Sequence, residues 1–591
     1  MTNKRLNLSG FLCGFLLLPL LAQSPSDEII RKAMKDELDR NMKQLIFKDY
    51  KPPFFISYTI EDIRNLTSTA TLGALVSSDE HHYRNWSTRV MVGDYKTTDE
   101  NFVSANRNKP HGDGNIELPL DDDYLGIRRS LWLAANNVYK SAADNYKNKI
   151  ESLRDKNLTQ NDLQIDDFSH APVTKLISPS KPVKWDLNYL NNISRELSSV
   201  FKNYTEIQYS GVTAFQVHAV MYFVNSEGSE TQIPFDMTLL TVIAFAQSDD
   251  GEMLNDQAQY CVTDPDHLPA IPQIKTDIAA MADNLLLKRT ATPLDEDYNG
   301  PALIVGQSVA SVFAQTLFSG KSSLIAYREP LYNTSQMSMF YGNNENSFES
   351  KIDKPVATKN ITIKSIPKMK QYNGLSLVGC FDFDAEGVVP ADELLLIENG
   401  VLKTLLNGRT PSRKINESNG HNRYVLYDGG ITEDVAPGVI DISVTNGKPY
   451  EKLKEELLKD ASDEGFSYAL IIKPLKINSY NMPENIYRVS VADGSEELLR
   501  SYTVKPISEN SLKKISSVSD KTMVHNFVLE DNSENQEVAT SLMPYSSMTI
   551  PSGAPVSFIM PDAILLPEIE INKETRPIAS EKPVVNNPIE K

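Results

Sequence analysis

The stretch that most constrains this chain runs from Gly300 to Gly320 and reads GPALIVGQSVASVFAQTLFSG. It begins as an apolar strand and continues as a helix-like segment. The character of the sequence changes here, so we place a domain boundary within Asp295–Gly300. Beyond it, Asn399-Gly400 separates two apolar runs and predicts a hairpin, and Asp493-Gly494 does the same after Tyr487–Val491. Tyr450–Asp460 is the one other clearly helical pattern. The C-terminal half is therefore predicted to be β-rich.

The N-terminal half mixes helical and strand periodicities. A chain of 591 residues is long enough for two or more domains. The fold class is thus predicted to be α+β, with a mixed N-terminal domain of antiparallel sheet and helices and a β-rich C-terminal domain. Helices are expected near 24–45, 127–150, 187–201 and 274–288, and strands at 54–60, 71–77, 87–92 and within 204–246. The expected division is a signal peptide 1–22, an N-terminal domain 23–297, a C-terminal domain 298–570 and a disordered tail 571–591.

The N-terminus has the pattern of a secretory signal. Lys4 and Arg5 precede a short apolar core, Phe11–Ala22, which is too short to span a bilayer. Cys13 suggests a lipoprotein instead, but the bulky residues before it disfavour that alternative. We expect cleavage after Ala22 and an exported chain, periplasmic or secreted, with no membrane span.

Charge and cysteine content limit the partners. The formal net charge is −19, and loss of Lys4 and Arg5 with the signal makes the mature chain more acidic still. An acidic chain is disfavoured as a ligand of nucleic acid or anionic membranes. Only Cys261 and Cys380 remain after cleavage, and two buried thiols are expected in preference to a disulfide.

Polar clusters outside the main motifs give little support for a catalytic site. No two of the eight histidines are spaced three or four residues apart on a predicted helix, so a helical zinc site is not indicated. Asp121–Asp123 lacks the spacing of a calcium loop and is expected to cap the following helix. A Ser/His/Asp triad can be neither inferred nor excluded from the sequence.

Several motifs, in order and spacing, resemble the TldD/PmbA family, and together they extend over most of the mature chain. They are the strand-then-helix element beginning at Gly300-Pro301, YFVNSEG at 222–228, GCFDFDAEG at 379–387, LIENGVL at 396–402 and SNGHNR at 418–423. The N-terminal part is more similar to a secreted branch of the family than to its cytosolic type.

The resemblance implies a metal motif that this chain lacks. In the family's peptidase subunits the helix carries His-Glu-x-x-x-His, and these positions fall here on Ala314, Gln315 and Ser319. Zinc hydrolysis needs imidazole ligands and a carboxylate to activate water. The family's C-terminal cysteine ligand is also missing, because no cysteine follows Cys380. We therefore expect no cofactor, and zinc only if an atypical site exists.

The same resemblance suggests where a ligand binds. Asn419, Gly420, His421 and Arg423 are predicted peptide contacts, because glycine permits close backbone approach and Asn and Arg can bind carbonyls or a carboxylate. A glycine loop with a surface arginine is an equally simple explanation. Asp382, Asp384 and Glu386 alternate and would share one strand face; of these, Asp384 and Glu386 are further peptide-binding candidates, although a structural role is favoured.

Three functions remain open at this point. The first is a non-catalytic peptide-binding subunit of a metallopeptidase-type complex that acts on small unfolded peptides, as a heterodimer with a metal-bearing paralogue or by self-association. The second is an active metallopeptidase with an atypical metal site. The third is a stand-alone periplasmic binding module.

Overall fold

The computed structural model describes residues 25–47, 49–103, 111–112, 116–158, 165–178, 183–320, 323–333, 348–427, 430–473, 485–530, 552–574, 581–585 and 587–589. The predicted signal peptide lies outside these residues. The helices are α1 Pro25–Gln44, α2 Tyr124–Asp155, α3 Leu187–Ser198, α4 Ile271–Thr290, α5 Ser308–Phe318, α6 Tyr450–Asp463 and α7 Glu509–Lys514.

The strands of the N-terminal half are β1 Pro53–Thr71, β2 Ala74–Val92, β3 Phe102–Val103, β4 His111–Gly112, β5 Lys175–Ile177, β6 Ile207–Asn225, β7 Glu230–Gln247, β8 Met253–Val262 and β9 Thr292–Pro293. Those of the C-terminal half are β10 Tyr298–Val305, β11 Leu331–Tyr332, β12 Ile361–Ser365, β13 Gln371–Tyr372, β14 Leu375–Ser376, β15 Leu394–Glu398, β16 Val401–Leu402, β17 Asn422–Tyr427, β18 Gly430–Val435, β19 Val439–Val444, β20 Tyr468–Lys473, β21 Asn485–Ser490, β22 Glu496–Arg500, β23 Tyr502–Val504, β24 Ser517–Val518, β25 Thr522–Leu529, β26 Ala554–Pro561 and β27 Ala563–Lys573.

The N-terminal half is built on one large sheet. Its strand order is β4-β2-β1-β6-β7-β5, with β8 also paired to β7, and its long strands are antiparallel. The three short strands predicted over 54–92 are wrong in extent, because β1 and β2 are continuous over 19 residues each and turn at Leu72-Gly73. The first half of β2 is polar and largely exposed, so its local pattern does not predict a strand. Pairing with β1 holds it in the strand conformation.

The two faces of this sheet have different neighbours. One face carries the helices: α1 and α2 pack on alternate β1 residues such as Ile56, Tyr58 and Ile60, and α3 and α4 pack further along the same face. Successive side chains of a strand point to opposite faces. The intervening β1 residues therefore turn toward the C-terminal half of the chain, which Ile63 contacts through a shared apolar cluster.

The C-terminal half is a layered β structure. A six-stranded sheet, β16-β15-β12-β19-β26-β25, faces an eight-stranded sheet that includes β27, β10, β20 and β21. The large apolar core lies between them and includes α5. Helix α6 covers the outer face of the eight-stranded sheet through Leu453, Leu457 and Ala461. Helices and antiparallel sheets in both halves confirm the α+β class.

Two predicted turns are confirmed in the C-terminal half. Asn399 and Gly400 have φ of 48° and 81° and join β15 to β16, as a two-residue hairpin loop of this sequence requires. Gly494, with φ of 72°, lies in the turn from β21 to β22.

The predicted domain limits stay predictions, although the elements near them are clear. The limit at 297/298 falls between β9 and β10, and β9 pairs with β22 of the C-terminal half. Strand β27 continues to Lys573, three residues into the predicted tail. Beyond it, Asn587 Nδ2 donates to Thr205 O at 2.8 Å.

Candidate functional site

A cavity of about 1290 Å³ lies between the N-terminal sheet and the C-terminal half. This volume exceeds the roughly 300–1,000 Å³ typical of a small-molecule site. Its floor is the face of β1 and β2 that carries no helix, α2 contributes Asn137 and Ser141 at one side, and the β17–β18 hairpin with two loops closes the other. We call this space the central cavity.

The floor of the central cavity is polar because of the alternation along two strands. Three alternate residues of β1 face it, and each is paired across to a polar residue of β2. The pairs are Ser57 with Arg89, Thr59 with Ser87, and Glu61 with Asn85.

An ion-pair network joins this floor to the opposite wall. Arg89 forms two bonds to the Glu100 carboxylate, at 2.8 and 2.6 Å, and a third to Glu386 Oε1 at 2.7 Å. The other Glu386 oxygen accepts from the backbone N–H of Arg409 at 2.7 Å. Charge-assisted and bidentate bonds of this kind fix geometry strongly, so the network sets the spacing of the cavity walls.

Arg409 is the second anchor of the network. Its guanidinium binds both oxygens of Glu227 at 2.6 and 2.7 Å and donates to Ser169 O. It lies 4.0 Å from the ring centroid of Phe168 and is 1% exposed. The buried Arg409 guanidinium, which belongs to the C-terminal half, therefore holds Ser169 and Glu227 of the N-terminal half.

Two carboxyl groups of the central cavity titrate abnormally. Burial raises the pKa of Glu433 to about 7, with repulsion from Glu386 adding to the effect. Burial also raises the pKa of Glu61 well above its usual value, and Glu433 adds to that rise. Their hydrogen-bond partners are neutral, since Thr59 Oγ1 donates to Glu433 Oε1 at 3.1 Å and Asn85 bonds Glu61. The cavity can therefore take up or release protons near neutral pH.

The predicted contacts at 419–421 are engaged inside the protein. Asn419 Oδ1 accepts from Asn407 N at 2.8 Å, and Gly420, with φ of 76°, packs closely on Pro390. His421 is 0% exposed; its Nδ1 donates to Asn419 O at 3.0 Å and its Nε2 accepts from Ser365 Oγ at 2.8 Å. Burial lowers the pKa of His421 to about 3, so the ring is neutral. Peptide contact by these residues stays a prediction.

The predicted common strand face of Asp382, Asp384 and Glu386 is wrong. These residues are irregular, because the buried Asp384 carboxylate accepts from the backbone N–H groups of Glu386 and Val388 and folds the segment into a turn. Asp382 instead pairs with Lys370 at 3.1 Å. Of the predicted peptide contacts, Glu386 lines the central cavity, whereas Arg423 lines a separate pocket.

The three positions of the metal motif do not form a site. Ala314 is fully buried in the C-terminal core, and Gln315 is exposed on the other side of α5. Ser319 has left the helix, with φ −117° and ψ 150°. Methyl, amide and hydroxyl groups that diverge in this way do not fit zinc. The residues that the structure describes also contain no group of three or more His, Cys, Asp or Glu side chains suited to a metal.

Several cavity residues were not singled out by the sequence analysis, notably Glu61, Arg89, Arg409 and Glu433. One local signal existed, since Ser57, Thr59 and Glu61 place a polar stripe on a strand whose other face is apolar. The ion pairs have no local signal, because Arg89 and Glu386 are 297 residues apart.

Comparison with known sequences gives a consistent family. A family model described as the PmbA/TldA metallopeptidase C-terminal domain matches residues 314–564. A protein of Methanothermobacter thermautotrophicus described as a metalloprotease is 33% identical over 113 residues, which are 19% of this chain. The match spans only 22% of that relative's own length.

Comparison with solved structures gives the same fold over nearly the whole chain. A candidate modulator of DNA gyrase from Thermotoga maritima aligns with a TM-score of 0.54 and 13% identity, covering 91% of this chain and 99% of that one. TldE from Thermococcus kodakarensis gives 0.52 and 13%, covering 91% and 100%. A Bacteroides thetaiotaomicron protein, also described as a candidate gyrase modulator, gives 0.53 and 10%, covering 93% and 98%. The matched domain and the motifs thus place residues 314–564 in the metallopeptidase-related TldD/PmbA family, and the solved structures share the fold over nearly the whole chain.

Proposed function

We propose that this chain is an exported, non-catalytic subunit that binds small unfolded peptides in the central cavity and presents them to a metal-bearing paralogue. The observation that carries the proposal is a contrast within one molecule. The motif positions Ala314, Gln315 and Ser319 offer no metal ligands, whereas a cavity of about 1290 Å³ remains open between the two halves.

The lining of the central cavity supports a peptide as the ligand. An unfolded peptide presents unpaired backbone N–H and C=O groups, and these need hydrogen-bonding partners when they leave water. The floor offers hydroxyl and amide groups at Ser57, Thr59, Ser87 and Asn85 on paired strands. Such groups can bond any peptide backbone and do not require one side-chain sequence.

Charge supports binding of positively charged ends or side chains of the peptide. Arg89 and Arg409 are already paired with carboxylates. Glu61 and Glu433 have neutral hydrogen-bond partners, and in their ionised form they can pair with a cation. A peptide amino terminus or a lysine side chain would supply it.

The first test combines metal content, hydrolysis and binding on protein purified without chelator. We expect sub-stoichiometric zinc, no peptide cleavage, and measurable peptide binding by calorimetry. Ser87→Trp, which fills the floor, should weaken binding at least tenfold. Ser78→Trp places the same side chain on the exposed end of the same strand and should leave binding unchanged.

The outcomes separate the three functions. One tightly bound metal per chain, with cleavage blocked by chelator, would refute the non-catalytic role and mean an active peptidase with an atypical site. No binding, or equal binding by both tryptophan variants, would refute the cavity as the peptide site. Binding that needs no paralogue, with none co-purifying, would favour the stand-alone module.

Export and pairing need their own measurements. Within the described part of the chain, no helix is long and apolar enough to cross a membrane. Mass spectrometry of the protein from cell fractions should find a chain that begins at Gln23 outside the cytoplasm. An affinity-tagged chain should co-purify a metal-bearing relative from the same fraction.

A further inference from the structure

Arg423 is a buried cation that has no carboxylate partner among the residues that the structure describes. It is 4% exposed. Its Nη1 donates to Pro437 O and, at 2.9 Å, to Pro555 O, and the guanidinium lies 4.8 Å from the ring centroid of Phe381. Carbonyl groups and an aromatic face do not neutralise a full positive charge. Burying a charge without a counter-ion is costly, so the site is suited to an anion from outside.

The Arg423 guanidinium has nitrogen donors that its protein partners do not use. Neither Nε nor Nη2 of Arg423 makes a hydrogen bond to a described residue. Neither atom is among the fully buried polar atoms that lack a partner. These two nitrogens form one edge of the guanidinium plane. Such an edge matches the two oxygens of a carboxylate.

Arg423 lines a pocket of about 370 Å³ that is distinct from the central cavity. Neighbouring strand residues point to opposite sides: Asn422 lines the central cavity and Arg423 the smaller pocket. The lining of the smaller pocket is mainly apolar, and its apolar residues include Met221, Ile233, Phe235, Val378 and Phe383.

The other charged groups of this pocket already have partners. Lys370 and Asp382 pair at 3.1 Å, and Asp236 bonds His218 Nδ1 at 2.5 Å. Burial lowers the pKa of Arg423 to about 10, and the one ionisable group that opposes this fall is the Cys380 thiol. Neither aspartate therefore offsets the charge of Arg423.

We propose that this pocket binds a small carboxylate with an apolar body, its carboxylate on the free edge of Arg423 and its apolar part among Met221, Phe235 and Val378. The site is independent of peptide binding in the central cavity. The same chemistry is offered by a free apolar acid and by the C-terminal residue of a peptide.

The reactivity of the Cys380 thiol can report whether the smaller pocket is occupied. It lines the same pocket and is partly exposed, whereas Cys261 is 2% exposed. A ligand over Arg423 would shield the Cys380 thiol. The rate of its alkylation by N-ethylmaleimide, a neutral reagent, can be followed in the full chain by mass spectrometry of the Cys380 peptide. Burial raises the pKa of Cys380, so the reaction is run at mildly alkaline pH.

Three probes test whether the charge or the shape of the ligand decides binding, and whether the ligand is a free acid or a peptide C-terminus. They are 3-phenylpropionate, its neutral amide, and N-acetyl-phenylalanine as a C-terminal mimic. At ten times its Kd, a protecting ligand should slow alkylation about tenfold. The amide at equal concentration should have no effect. Protection by 3-phenylpropionate alone indicates a free acid as ligand, and protection by N-acetyl-phenylalanine indicates a peptide C-terminus.

Two variants make the test specific. Arg423→Gln removes the charge and should abolish protection. Thr263→Trp fills the rim of the pocket while Arg423 stays, so it keeps the test valid if the first variant misfolds. Thr276→Trp on the exposed face of α4 is the matched control and should protect as the parent does. Absence of protection by both acids, equal protection by the amide, or protection that persists in Thr263→Trp would overturn the proposal.

Discussion

Glu433→Gln tests whether the central cavity holds an acid in its protonated form. Glu433 Oε1 accepts from Thr59 Oγ1 at 3.1 Å, and a glutamine side-chain oxygen can keep that bond. Burial raises the pKa of Glu433 to about 7 from its ordinary 4.5. The folded protein thus binds this proton more tightly than the unfolded chain. The stabilisation is fully present below pH 4.5 and is lost as the pH rises through 7.

The expected size follows from these two values. Each pH unit between them changes the free energy of unfolding by about 1.4 kcal/mol, so the full loss is about 3 kcal/mol. Glutamine carries no charge at any pH. The variant should therefore match the parent near pH 4.5 and exceed its free energy of unfolding by about 3 kcal/mol at pH 8.

Urea unfolding at half-unit steps from pH 4.5 to 8, followed by tryptophan fluorescence, measures this difference. Trp86 lines the central cavity and reports on it directly. Glu28→Gln, on the exposed side of α1, is the matched control and should give no such rise with pH. A difference between Glu433→Gln and the parent that stays constant across the range would refute a protonated, buried Glu433.

Two further substitutions test the anchors of the fold. Arg409→Lys cannot keep both bonds to Glu227 and should cost about 3 kcal/mol of unfolding free energy. Its control, Arg413→Lys, has a side chain that is 64% exposed and should change that free energy by less than about 0.5 kcal/mol. Equal costs in urea unfolding would contradict a stabilising role for the ion-pair network at Arg409. Gly400→Ala should cost over about 2 kcal/mol, because a Cβ there would lie 2.4 Å from Ala357 O. Gly494→Ala, with φ of 72° and open space around it, should cost about 1 kcal/mol, and similar melting losses for both glycines would refute the clash.

Local patterns predicted the elements that depend on nearby residues. The amphipathic period over 127–150 gave α2, and Asp123 caps that helix by accepting from Gly126 N at 2.6 Å. The Asn399-Gly400 turn was correct for the same reason, since its geometry is decided by two residues. The α+β class follows from the sum of such local signals.

The central cavity could not be predicted this way, because long-range pairing creates it. The polar half of β2 resembles a loop until its register with β1 is known. Asp384 and Glu386 differ in direction because backbone N–H groups capture one carboxylate and Arg89 binds the other. Competition of this kind between neighbouring acids leaves no trace in their spacing.

The local structure around α5 also implies that the metal motif cannot be restored by substitution alone. Ala314 is 0% exposed within a close-packed core, and a histidine there would overpack it and bury a polar ring, at about 2–4 kcal/mol. Ser319 is extended beyond the helix end, so a histidine at that position would not follow the helical path. We therefore expect the triple variant Ala314→His, Gln315→Glu, Ser319→His to lose stability without gaining stoichiometric zinc. Gln315→Glu alone, at an exposed position, should be neutral in stability. Elemental analysis and urea unfolding decide the matter, and a triple variant that binds one zinc per chain at undiminished stability would mean that the site is intact in all but its ligands.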